Sequence, residues 1–155
     1  MNRRLILAFP GLFALARCGS PPPPPPTLNL TINGGSDQNP DTGGRAAPVA
    51  VRVYQLGGTA KFEQTDVFAL KDSEAKTLGA DAVAASQEFL IAPGETRTVK
   101  IDLKPMVSAI GVAVMYRDID HAKWRATAPA NAHGPTTLTA AIGKLALALT
   151  VKAAS

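Results

Sequence analysis

Groups that could exchange protons crowd together at one place in the 155-residue chain, Arg117-Asp118-Ile119-Asp120-His121, with Trp124-Arg125 just beyond. Two carboxylates beside an imidazole are the parts of a general acid and base. On an extended chain Asp118 and Asp120, two residues apart, would face the same side. A hydrolase using Asp118, Asp120 and His121 would also need a concave site and a nucleophile or metal, and the local sequence supplies neither of the latter. The stronger reading is a strand end, where the two aspartates accept from loop backbone donors, Trp124 covers an open edge of the core, and Arg125 pairs with an acid. His121 and His133 are the only histidines, no second cysteine joins Cys18, and no His-x-x-x-His spacing occurs, so a zinc site lacks its ligands. Gly34-Gly35 and Gly43-Gly44 lie in a polar stretch without the following helix that a phosphate cradle requires. The expectation is a binding protein and not an enzyme, with no metal and no cofactor.

The elements that must hold these residues come after an N-terminal leader. Met1 to Arg17 has a basic start and an apolar stretch from Leu5 to Ala16. This is the shape of a secretory signal, and it is well short of the roughly 20 residues that cross a bilayer. With Cys18 alone, an exported chain can form no intramolecular disulfide, so the thiol needs another use. Leu15-Ala16-Arg17-Cys18 resembles a bacterial lipobox, although Arg17 stands where that pattern has a small residue. The resemblance implies cleavage before Cys18 and acylation of it, which holds a protein at about 0.8 kcal/mol per buried methylene. Gly19 in place of Asp then implies sorting to the outer membrane. Pro21 to Pro26 reads as a stiff polyproline spacer of roughly 19 Å at about 3.1 Å per residue. Once Arg3, Arg4 and Arg17 leave with the signal, 16 − 3 = 13 basic residues face 12 acidic ones. So balanced a chain has no electrostatic footprint for nucleic acid. The expected division is a signal peptide (1–17), an anchor cysteine with a proline-rich linker (18–26), and one domain (27–155).

Period-two alternation dominates that domain. Leu28, Leu30 and Ile32 alternate with Asn29 and Thr31, and Val49, Val51 and Val53 with Ala50, Arg52 and Tyr54. Val99, Ile101 and Leu103 alternate with Thr98, Lys100 and Asp102, and Ile110, Val112, Val114 and Tyr116 with Gly111, Ala113 and Arg117. Gln87 to Ile91 is a further strand, Leu145 to Val151 closes the chain, and Thr136 to Ile142 is its weaker partner across Gly143-Lys144. Lys61 to Leu70 is helix-compatible, and Ser73 to Leu78 is a second short helix with Ser73 as cap, Gly79 as stop, and Ala80 to Ala85 as a possible extension. The expected fold is therefore all-β, a two-sheet antiparallel β-sandwich with a short helical insertion around 61–78. The loop Asn33 to Ala47 is polar and turn-rich, with no apolar residue to fold back onto the core. A hairpin usually needs only about 2 to 5 residues, so this length calls for a purpose beyond turning the chain.

Several blocks, in order, resemble the TssJ family of type VI secretion lipoproteins: Cys18, Leu28 to Ile32, Asn39-Pro40-Asp41 with Arg45, and Pro48 to Leu56 (PVAVRVYQL). Phe62 with Asp66 to Leu70 follows, then Leu90 with Pro93-Gly94-Glu95, then Ile110-Gly111-Val112 with Tyr116 to Asp120 and Trp124-Arg125. The resemblance implies a transthyretin-like sandwich on the periplasmic face of the outer membrane, lipid-anchored through Cys18. It implies binding to the periplasmic C-terminal domain of the inner-membrane subunit TssM, and through it to TssL, with no small-molecule substrate. It also implies that the loop after the first strand meets TssM, which makes Asp37, Asn39, Asp41 and Arg45 the expected contact residues. The competing reading is a generic periplasmic lipoprotein holding a glycan or other ligand. An aromatic platform for that would have to come from two tyrosines, one tryptophan and five phenylalanines, of which Phe9 and Phe13 lie in the signal.

Overall fold

The computed structural model describes residues 19–153, so the leader and Cys18 lie outside the described residues. Along β1 (Thr27–Gly34) Leu28, Leu30 and Ile32 are fully buried while the residues between them are half-exposed, as the alternation requires. The other strands are β2 (Val49–Leu56), β3 (Gln87–Ile91), β4 (Thr96–Asp102), β5 (Ala109–Val114), β6 (Arg125–Pro129), β7 (Pro135–Ile142) and β8 (Leu147–Lys152). They form two four-stranded sheets in the orders β4-β1-β7-β8 and β3-β2-β5-β6. The inner faces meet in one core that includes Leu30, Val51, Val53, Ile91, Val112, Val114 and Leu138. This is the expected sandwich with one difference of direction: β1 and β7 run parallel, Leu30 opposite Leu138, whereas the other ladders are antiparallel. A parallel pair needs a long crossover, and here the whole second sheet lies between the two strands.

The insertion is three short helices, α1 (Ala60–Gln64), α2 (Val67–Asp72) and α3 (Glu74–Leu78), followed by a 3-10 turn at Gly79–Asp81. Asp66 starts α2 by accepting from the Ala69 amide at 2.9 Å. Ser73 sits at the N-cap of α3 without a capping bond, and Gly79, at φ 54°, ends that helix. The alanine-rich stretch does not continue it beyond the 3-10 turn. Phe62, Leu70 and Leu78 pack on the outer face of the second sheet against Tyr54, Leu56, Ala109 and Ala113. That cover is why β5 is buried on both faces where one buried face was expected, and why Tyr54 is only 1% exposed. Arg52 ties sheet to helix by pairing with Glu88 across the β2–β3 ladder at 2.7 Å and donating to the Lys71 carbonyl of α2 at 3.2 Å.

Gly111, opposite Tyr54 in the ladder, makes room for this helical cover. A β-carbon there would meet Leu56 Cδ1 at 2.9 Å and the Phe62 ring at 3.0 Å. Overpacking of that kind costs about 1–3 kcal/mol. Gly111→Ala is therefore expected to lower the thermal midpoint by several degrees in a calorimetric scan. An unchanged midpoint would mean that Phe62 does not seat against the sheet as described.

Strand directions gather the connections at two opposite ends. At one end lie the stem before Thr27, the β4–β5 loop and the β6–β7 loop; at the other lie the β1–β2 loop, the β3–β4 and β7–β8 turns and the segment from Met115 to Trp124. The stem is fastened at its end: Gly134 N donates to Pro24 O and Leu103 N to Pro26 O, both at 3.1 Å, and Thr27 N donates to Gly134 O at 3.0 Å. Part of the proline run is thus bound to the domain, and the free spacer is shorter than the whole run.

Candidate partner-binding end

The β1–β2 loop is ordered by its own polar side chains. Gln38 is fully buried, and its Nε2 donates to Ile91 O at 2.8 Å and to Ala47 O at 3.3 Å. Asn39 is 5% exposed; its Nδ2 donates to Pro48 O at 2.9 Å and its Oδ1 accepts from Arg117 N at 2.7 Å. The Asn39 backbone has φ 45°, which asparagine tolerates better than most residues, and its amide donates to Lys144 O at 3.0 Å. Beyond it, Asp41 Oδ1 accepts from Gly43 N at 2.8 Å and Arg45 N at 2.9 Å, while Oδ2 faces Arg45 Nε at 3.1 Å. The bond from the Arg45 amide, with those from Gly43 N and the Arg45 side chain, holds the Asp41 carboxyl below its usual range. The Arg45 side chain remains 86% exposed, so its ion pair shapes the loop more than it stabilises the protein.

Tyr116 props the same end from below. Its hydroxyl donates to Gly143 O at 3.2 Å, and burial, with the nearby Asp37 charge, pushes its phenol up to about 12. It therefore stays a donor at any physiological pH. Asp37, Asp41 and Arg45 reach the surface to different extents, with Asp37 and Arg45 exposed and Asp41 partly so.

Asn39 has to be reassigned. Expected as an outward contact residue, it has both ends of its amide occupied inside the protein, so it positions the loop on Pro48 and Arg117. No apolar residue of this loop folds back on the core, as expected, but two polar ones do: Gln38, whose Nε2 finds backbone acceptors while its Oε1 has no partner among the described residues, and Asn39, whose amide is bonded at both ends. Hydrophobic patterning cannot see such residues, and the faint signal is the Asn-Pro dipeptide, a turn former next to a strand start.

The proton-exchanging cluster lies at the rim of this end. Asp118 Oδ1 and His121 Nδ1 are 2.7 Å apart on an exposed surface. The residues between them bend into a 3-10 turn (Ile119–His121), so the extended chain that would aim Asp118 and Asp120 the same way is not present. Trp124 is half-buried and packs against both apolar clusters, as a cover for the core should. Arg125 does not pair with an acid: its Nη1 donates to Phe62 O at 3.0 Å and to Thr65 O, and its guanidinium lies 4.7 Å from the Trp124 ring centre. The physical reason is that the carbonyls ending α1 have no helical partner, and the guanidinium supplies one. Among the described residues no group of three or more His, Cys, Asp or Glu side chains is placed to hold a metal.

The bond to Asp118 is the main reason that the His121 pKa is raised. Asp118→Asn should bring it back toward 6.5, read from the imidazole shifts in an NMR titration. The pair adds stability in full below the unfolded-state value and loses it as pH rises through the raised folded-state value. An unchanged titration would show that the two side chains do not meet in solution.

Two sheets over one core, a helical cover on one outer face, and an end where folded loops present charged groups define a small β-sandwich with a helical insertion. The chain belongs to the type VI secretion lipoprotein family of VasD, EvfM and TssJ, whose model matches residues 26–153. It is similar to the solved T6SS lipoprotein TssJ1 of Pseudomonas aeruginosa, with 31% identity, 85% of this chain and 100% of that one covered, and a TM-score of 0.80. A chain in a solved type VI membrane complex is 26% identical, with 83% and 98% covered and a TM-score of 0.67. A chain in the solved structure described as the T6SS protein TssM C-terminal domain from EAEC is 25% identical, with 79% and 99% covered and a TM-score of 0.64. Among curated proteins none matches this chain.

Proposed function

We propose that this protein is a non-catalytic tether of the type VI secretion membrane complex, held by acyl chains on Cys18 at the periplasmic face of the outer membrane. Its β1–β2 loop grips the periplasmic C-terminal domain of TssM, and through TssM the protein is linked to TssL. The observation that carries this reading is polarity: the stem leaves one end of the sandwich and the loop with Asp37, Asp41 and Arg45 stands at the other. A two-ended linker needs that arrangement. Family membership and the likeness to chains in a type VI membrane complex and in a TssM structure support it.

The test is calorimetric titration of the partner's periplasmic domain into variants whose loop bonds are otherwise kept. Asp37→Lys and Arg45→Glu are each expected to weaken binding about tenfold, or about 1.4 kcal/mol. Lys100→Asp, on the exposed side of β4, is expected to change it little. Undiminished affinity in both loop variants would move the contact elsewhere, the Asp118 to Trp124 segment being next. Attachment is read separately: a palmitate analogue fed to cells should label the wild type and not Cys18→Ser.

A further inference from the structure

At the stem end, β4 passes to β5 through a tight corner. Val107 N donates to Lys104 O at 3.3 Å, closing a four-residue turn with Pro105 in second place and Met106 in third. Met106 has φ 75°, the left-handed region that a turn with proline in second place calls for at its third position. Glycine normally stands there, because a β-carbon is disfavoured in that region. Met106 is 87% exposed, against 63% for Phe68 and Leu90 and 50% for Val151. A long apolar side chain is thus placed in water, on backbone that suits glycine, with no internal packing in return.

The corner beneath it is rigid. Leu103 and Val107 on either side are buried, Gln55 Oε1 accepts from Lys104 N at 2.9 Å, and Ser108 N donates to Leu56 O at 2.8 Å. The stem is bonded to the same corner, through Leu103 N and Pro26 O. Between Cys18 and the first fastened residue, Pro24, the chain can span at most about 20 Å at roughly 3.3–3.6 Å per residue. Anything attached at Cys18 is therefore kept close to Met106, and the loop end, across the length of the strands, is not.

We propose that the Lys104-Pro105-Met106 corner seats the domain on a lipid surface. Met106 enters the boundary between headgroups and acyl chains of the leaflet that holds the anchor, and the exposed Lys104 ammonium meets lipid phosphate. The proposal rests on the reading that Cys18 is the lipid attachment, so the experiment imposes that attachment chemically. The chain from Cys18 onward is coupled through its single thiol to a maleimide phospholipid in vesicles of phosphatidylethanolamine and phosphatidylglycerol, with and without dibrominated acyl chains. Tryptophan emission is read for Met106→Trp and, at the opposite end, Thr42→Trp, after subtracting the Trp124 signal of the parent. Both positions are exposed, and circular dichroism verifies that each variant folds.

Seating predicts a blue shift and at least twofold quenching by brominated lipid at position 106, none at position 42, and less quenching at 106 when Lys104→Glu is added. Water-like, unquenched emission at 106 would overturn it. Equal quenching at both positions would also overturn it, showing a domain that lies on the surface without a preferred end. A blue shift without quenching that grows with surface density would mean contact between copies, and would overturn it too. Failure here leaves the anchor reading standing, and failed palmitate labelling in cells leaves this measurement interpretable.

Discussion

Val112→Asp should leave the domain without a cooperative thermal transition at ordinary temperatures. Val112 is fully buried at the centre of the second sheet, opposite Val53 on β2 and Ala126 on β6, with its side chain in the core between the sheets. A carboxylate placed there must either remain charged without water or take up a proton and still lack a hydrogen-bond partner, and either outcome costs several kcal/mol. A typical domain has only about 5–15 kcal/mol to lose. The proton is taken up more readily as pH falls, so what structure survives should be firmest in mild acid. Lys100→Asp, on the exposed side of β4, is the matching control and should stay within about 0.5 kcal/mol of the parent. If Val112→Asp melts where the parent does, the inward register of β5 is wrong.

Asn39→Ala should act on both stability and binding. It leaves Arg117 N without its acceptor and Pro48 O without its donor. Each stranded group costs about 1–3 kcal/mol, and alanine is also less at ease than asparagine at φ 45°. A loss of about 2–4 kcal/mol is expected in denaturant unfolding, with faster hydrogen exchange at the Arg117 amide marking the release of the loop. Binding to the partner's periplasmic domain should fall by more than the tenfold expected of a single contact charge, because Asp37, Asp41 and Arg45 would lose their common footing. Asn39→Asp keeps the acceptor and should restore protection at Arg117 but not the bond to Pro48. Parent-like exchange in Asn39→Ala would show that the loop is held by its backbone alone.

Much of the sandwich was legible because its inner faces are built from β-branched and leucine residues at period two. Leu28, Leu30 and Ile32 are the plainest case, and the helical insertion was visible from Phe62 and Leu70. What stayed hidden depended on tertiary neighbours. Gly111 and Ala113 read as an outer face because small residues usually are one, yet here they are small so that a helix can lie on them. β6 has a weak pattern, Arg-Ala-Thr-Ala-Pro, with no large apolar residue to mark a face, and it is held as a strand by pairing with β5. At the candidate site the loop's place in the fold was readable and its interior was not. Composition cannot separate Asp37, which meets solvent, from Asn39 two residues later, which is buried through bonds to Pro48 at the far end of the same loop and to Arg117 on a distant segment. Arg125 went to carbonyl oxygens instead of a carboxylate for a similar reason, since its partner is a helix end far along the chain.

The parallel pairing of β1 with β7 has a mechanical consequence. In the proposed tether, tension would enter at the stem, run along β1, and leave through the loop at Gly34, so one strand would be the whole load path. β1 lies inside its sheet, antiparallel to β4 on one side and parallel to β7 on the other, in register over nearly its full length on both. A pull along it would load both rows of hydrogen bonds lengthwise and together, as shear. An edge strand pulled from one end could instead be peeled away one bond at a time. A cable clamped along both flanks yields only when every clamp slips, which suits a part meant to hold while the machine around it moves.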